Sequence, residues 1–174
     1  MIERKGIIEF KGKQVSVSGM DVTAGEKAKD FRVIKQDWSE ISLLDATRGK
    51  VRIIAAVPSL DTSVCDRETR HFNMEAAAMG KDITIVVISM DLPYALERWC
   101  GAAGVDQVLV VSDHKYAEFG DNYACLMLEP RLLRRAIFIV DKHNVIRYAK
   151  YMPALNVEPD YAEVLAEAKL LLKD

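Results

Sequence analysis

Val51-Arg-Ile-Ile-Ala-Ala-Val57-Pro58-Ser-Leu-Asp-Thr62-Ser-Val-Cys65 reads as a strand that stops at a proline and passes within a few residues into a helix. The run Val51–Val57 is short and rich in β-branched residues, and Pro58 breaks it. Thr62 or Ser63 suits a helix N-cap, and Phe72, Glu75, Ala76 and Met79 continue a helical pattern. Cys65 then falls in the first helical turn, where unpaired backbone N–H groups favour negative charge, and so thiolate over thiol. On position alone Cys65 is either a reactive nucleophile or a small buried apolar residue.

Outward from this junction, strands and helices alternate. Upstream, Ile7–Phe10 and Gln14–Val17 flank Lys11-Gly12-Lys13 and predict a hairpin. Ala24–Asp30 is polar and loop-like, and Phe31–Ile34 resumes an apolar strand. Downstream, Ile83–Ser89 is a continuous apolar run, as expected of a strand covered on both faces. Pro93 suits the first turn of a helix reaching about Gly101. Val108–Val111 and Ala136–Val140 are further buried strands, Val145–Tyr148 pairs with the latter, and Tyr161–Leu172 is a one-sided closing helix. This order fits an α/β thioredoxin fold. We read residues 1–174 as a single domain, with an N-terminal hairpin extension over 1–20.

With 174 residues and 50 % hydrophobic content, the chain can bury a substantial core. A net charge of −2 gives no basic footprint for nucleic acid or an anionic membrane. No apolar run approaches the roughly 20 residues that span a bilayer, and the N-terminus lacks a secretory apolar region. Three cysteines is an odd number for a secreted disulfide scaffold, so a thiol-keeping cytoplasmic location is expected. The three histidines, His71, His114 and His143, are scattered without zinc-type spacing, and no glycine-rich phosphate loop is present, so neither metal nor cofactor is expected.

The motif Pro-x-x-x-Thr-x-x-Cys after a buried strand resembles the active-site signature of the peroxiredoxins. The string Pro58–Asn73 is similar to that of their thiol peroxidase subfamily, whose members are atypical two-cysteine peroxiredoxins. A second block, Ser89–Pro93 through Arg98-Trp99-Cys100 to Gly104, resembles the segment carrying that subfamily's resolving cysteine. The likeness runs nearly end to end, from the Ile7–Val17 hairpin to the helix entry at Glu158–Tyr161. It implies a peroxiredoxin-like thioredoxin fold and reduction of hydrogen peroxide or organic hydroperoxides. The reductant would be thioredoxin, and the assembly a homodimer without an intersubunit disulfide.

The resemblance makes Cys65 the peroxidatic nucleophile and Cys100 the resolving cysteine of an intramolecular disulfide. The two are 35 residues apart, so the fold must bring their helix ends together. Asp66 and Glu68 oppose a thiolate at Cys65, which calls for a cation. Arg135 matches the peroxiredoxin arginine placed against sulfur and peroxide, while Arg134 should point to the other face of its strand. Arg67 and Arg70 are alternative sources of charge. Thr62 can orient the peroxide through its hydroxyl or serve as an ordinary cap. Pro58 shields the thiolate by resemblance and otherwise only ends a strand. Cys125, in the apolar Tyr123–Met127 stretch, matches neither motif and reads as a bystander. Trp38 and Trp99 read as packing, with Trp99 and Met152-Pro153 candidates for apolar surface at a dimer contact. A redox sensor that passes its disulfide to a client would use the same oxidation. A general thiol–disulfide oxidoreductase is disfavoured by the absence of Cys-x-x-Cys.

Overall fold

The computed structural model describes residues 2–173. In chain order, β1 (Glu3–Phe10) and β2 (Lys13–Ser18) form the expected hairpin, turning at Lys11 and Gly12, both at positive φ. β3 (Arg32–Ile34), β4 (Glu40–Ser42) and the short α1 (Leu43–Ala46) precede β5 (Val51–Ala56). α2 (Ser63–Met79), β6 (Ile83–Ser89), α3 (Pro93–Ala103) and β7 (Leu109–Ser112) follow. Then come α4 (Glu118–Asn122), β8 (Leu126–Met127), β9 (Leu132–Leu133), β10 (Ala136–Val140), β11 (Ile146–Tyr151) and α5 (Tyr161–Leu170).

The main sheet runs β11-β10-β5-β6-β7-β3-β4, with β5, β6 and β7 parallel and β10 antiparallel to both β5 and β11. β5-α2-β6 followed by β10-β11-α5 is the thioredoxin fold. A second sheet, β1-β2-β8-β9, lies apart from it in pairing.

The continuous apolar runs supply both faces of the main sheet. Val51, Ile53, Ala55 and Val57, with Ile83, Ile85 and Val87, pack under α2, α3 and α5. Ile54, Ala56, Val86 and Ile88 pack on the other face with Phe31, Leu43, Phe119 and Tyr123. Each fully buried Ile or Val contributes about 1.5–3 kcal/mol, so neither face can be uncovered cheaply. Arg52, the one charge in the β5 run, is buried, and each of its three guanidinium nitrogens donates a hydrogen bond. Its guanidinium donates to Thr47 Oγ1 and to the carbonyls of Leu44 and Asp141 at 2.8–2.9 Å.

Three readings differ from the sequence expectation. α3 runs to Ala103 because Gly104, at φ +67°, closes it by donating its N–H to the Cys100 carbonyl. Trp38 is 45 % exposed and packs at a tilt against Tyr94, with ring centres 4.9 Å apart and planes at 59°. Met152 is buried rather than at the surface. The short elements β4, α1, α4, β8 and β9 carry too few residues to show a period.

Candidate active site

Thr62 occupies the N-cap position of α2, with extended backbone, but its hydroxyl does not cap the helix. It donates instead to the Ser59 carbonyl at 2.9 Å. The loop between β5 and α2 is fastened from below by Asp91, which accepts from Ser59 Oγ (2.7 Å), Leu60 N (2.9 Å) and Ser89 Oγ (2.8 Å). Asp91 was not singled out from sequence, although it lies in the Ser89–Pro93 block.

Cys65 sits in the first turn of α2 and is fully buried. Antiparallel pairing of Ala136 with Ala56 brings Arg135 beside the end of β5, where the chain turns into α2. The Arg135 guanidinium donates from Nη2 to the Cys65 sulfur at 3.1 Å, from Nη1 to Glu68, and from Nε to the Leu155 carbonyl at 3.0 Å. All three of its donor nitrogens are thus committed. Burial opposes its charge, yet Glu68 and Cys65 outweigh burial and hold Arg135 above its ordinary range.

Glu68 is fully buried, and its second oxygen has no partner among the described residues. Burial pushes its carboxyl up to about 7 against the pull of Arg135. Glu68 therefore fixes the arginine that faces the thiol and competes for the same charge. Asp66 turns elsewhere, to Arg70 and to Trp99 on α3. Arg67 pairs with Glu158 at the surface. Arg134 points to the opposite face of the sheet, donating to the Ala124 carbonyl and Asp21 and lying 3.9 Å from the Tyr151 ring centre.

Pro58, Thr62 and Arg135 line a cleft of about 820 Å³, walled by Phe10, Leu132 and Leu155. Phe10 comes from the tip of the N-terminal hairpin and Leu155 from the segment after β11. No motif marks either residue, because both reach the cleft only through tertiary packing.

Cys100 is buried in α3, in the same core as Cys65. Its thiol accepts from Gln36 Nε2 at 3.4 Å, and burial raises it to about 11. Cys125 lies in the core on the other face of the sheet, where burial raises its thiol far above the ordinary range. All three cysteines are free. The histidines are separate: His71 stacks on Tyr161 and His114 bonds Ser112 Oγ at 2.8 Å, while the His143 backbone N–H donates to Asp141. A buried thiol bonded to a buried guanidinium, beside an apolar cleft, is suited to attack on a small electrophile with a stabilised leaving oxygen.

The Redoxin family profile matches residues 23–165. A thiol peroxidase of Bacillus subtilis (strain 168) is 43 % identical over 166 residues, covering 95 % of this chain and 98 % of the relative. A thiol peroxidase of Streptococcus pneumoniae (strain ATCC BAA-255 / R6) is also 43 % identical, covering 95 % of this chain and 100 % of the relative. Among solved structures, a peroxiredoxin-like protein from Aquifex aeolicus superposes with a TM-score of 0.85 at 34 % identity, covering 94 % of this chain and 96 % of that one. A thiol peroxidase from Chromobacterium violaceum shares the fold, with a TM-score of 0.79 at 21 % identity over 95 % of each chain.

Proposed function

This chain belongs to the Redoxin family, among its thiol peroxidases, and from that premise we propose how its residues reduce a hydroperoxide at the expense of a thioredoxin-type dithiol. The observation that carries the assignment of residues is the 3.1 Å contact between Arg135 and the buried Cys65 sulfur. Cys65 as thiolate attacks the terminal peroxide oxygen. The O–O bond breaks, sulfur is oxidised by two electrons to sulfenic acid, and the leaving oxygen takes a proton to become water or an alcohol.

Arg135 holds the thiolate and lies where the peroxide oxygens gather negative charge. The Thr62 hydroxyl spends its proton on Ser59, so toward the peroxide it serves as an acceptor for the O–H. Pro58, without an N–H and buried at the cleft, keeps water from the sulfur. Cys100 then condenses with the sulfenic acid, and an external dithiol reduces the resulting in-chain disulfide. Because Cys100 is buried and protonated, it must leave its Gln36 contact to react.

The same reading takes residues 1–174 as one thioredoxin-like domain with the 1–20 hairpin as an extension, and places it in the cytoplasm. Among the described residues no helix is long and apolar enough to cross a membrane. It also takes the chain as a homodimer packed near the active site, a reading supported by the exposed Trp38, Leu92 and Tyr94 around the start of α3. A monomer by sedimentation at tens of micromolar would remove the dimer alone. The activity is tested by NADPH-coupled turnover with thioredoxin, its reductase and several hydroperoxides. Turnover should be absent in Cys65→Ser, and retained turnover in that variant would remove Cys65 as nucleophile.

A further inference from the structure

The residue after Cys65 and the residue before Cys100 are joined directly. Trp99 Nε1 donates to Asp66 Oδ1 at 3.0 Å, and the other Asp66 oxygen accepts from Arg70 Nε at 2.9 Å. Arg70 also reaches the end of α3, donating to the Ala103 carbonyl at 3.3 Å, with its guanidinium 5.6 Å from the Trp99 ring centre. The Cys100 carbonyl accepts the N–H groups of Gly104 and Val105 that close α3. The reactive turn of α2 and the last turn of α3 are therefore one hydrogen-bonded unit centred on Asp66.

The two thiols meanwhile face different partners, Cys65 toward Arg135 and Cys100 toward Gln36. A disulfide needs its Cα atoms within about 7 Å and its Cβ vectors converging. With the Cys65 thiol on Arg135 and the Cys100 thiol on Gln36, both contacts must be given up before the sulfurs can meet.

We propose that Asp66, Trp99 and Arg70 form a latch that holds α2 and α3 in the peroxide-reactive arrangement, and that its opening gates the attack of Cys100 on oxidised Cys65. This rests on the roles of Cys65 and Cys100 set out above. The gated step is internally balanced. The Cys100 sulfur bonds the Cys65 sulfur, the S–O bond of the sulfenic acid breaks, and the hydroxide leaves as water with the proton from the Cys100 thiol. Asp66, Trp99 and Arg70 are positioning residues, acting through the two helices. The latch sets the lifetime of the sulfenic acid, and so the chance that a second peroxide over-oxidises it.

Trp99→Phe removes the indole N–H and keeps an aromatic ring. Asp66→Ala removes the acceptor, and Asp66→Asn keeps an acceptor oxygen without the charge. One equivalent of hydrogen peroxide, followed by acid quench and mass spectrometry, separates the first oxidation from disulfide formation. A hydrogen bond to a charged acceptor is strong enough that Trp99→Phe should speed disulfide formation about tenfold. The first step should be unchanged, and the sulfinic fraction at excess peroxide should fall. Asp66→Asn should stay closer to wild type than Asp66→Ala. In wild-type protein, NMR should show the Trp99 indole N–H exchanging slowly when reduced and rapidly when oxidised. Disulfide formation at the wild-type rate or slower in both Trp99→Phe and Asp66→Ala would overturn the latch. So would equal protection of that N–H in both redox states. Wild-type protein that forms no Cys65–Cys100 bond would instead refute the underlying roles, and the latch with them.

Discussion

The Cys65 sulfur and the Arg135 guanidinium lie 3.1 Å apart with both residues buried, and the same guanidinium bonds the buried Glu68. One cation thus serves two groups that are each anionic when ionised, and the chemistry and the stability of the site are coupled through it.

Arg135→Ala should therefore have two separable effects. Loss of a charge-assisted hydrogen bond to the reacting sulfur should slow attack on hydroperoxide by about 10- to 100-fold. Leaving Glu68 buried and unpaired should also cost about 3–5 kcal/mol of stability. Adding Glu68→Gln should recover most of the stability and little of the rate. Stopped-flow kinetics and urea denaturation read the two effects, and a double variant with wild-type rate would exclude Arg135 from the chemistry.

Glu68 gives the stability of the reduced protein a distinct pH dependence. Its carboxyl is raised from 4.5 to about 7 in the folded state, with burial the main cause. The folded state then binds more protons than the unfolded chain between those values, so the Glu68 contribution to stability is lost as pH rises through that window. The unfolding free energy of wild type minus that of Glu68→Gln should fall by on the order of 3 kcal/mol between pH 4 and 8. A difference independent of pH would show that burial does not disfavour the Glu68 carboxylate.

Thr62 tests the geometry of peroxide binding. Its hydroxyl proton goes to the Ser59 carbonyl, which leaves its lone pairs for a peroxide O–H. Thr62→Ser should retain most of the peroxide rate, and Thr62→Val should lose about 10-fold or more, as for one removed hydrogen bond in the transition state. Equal rates in Val and Ser variants would leave Thr62 with a packing role alone.

Much of this site is legible from local pattern. The strand, proline, threonine and cysteine of residues 51–65 place the thiol at a helix start, and the alternation within Ile83–Ser89 and Ala136–Val140 divides into two cores as a doubly covered sheet requires. The hydroxyl of Thr62 was not legible as a donor to Ser59, because the N-cap reading assigns it to the helix. Glu68 was expected only to repel the thiolate. That it orients Arg135 depends on the β10–β5 register, which no local pattern states. Asp91 and Phe10 act across 30 or more residues of chain, and spacing carries no sign of such contacts.

Cys125 faces the second core, across the main sheet from Cys65 and Cys100. Cys125→Ala should keep full peroxidase turnover and lose about 1 kcal/mol of stability, the expected cost of removing one small buried group. A large loss of turnover without unfolding would assign Cys125 a role in the cycle.

The most direct measurement is to treat reduced wild-type protein with one equivalent of hydroperoxide, alkylate the remaining thiols, and map the disulfide by peptide mass spectrometry. The expected product is an in-chain Cys65–Cys100 bond, with Cys125 alkylated once unfolded and a compact monomer band on non-reducing gels. A bond to Cys125, or a covalent dimer through Cys65 and Cys100 of different chains, would contradict it.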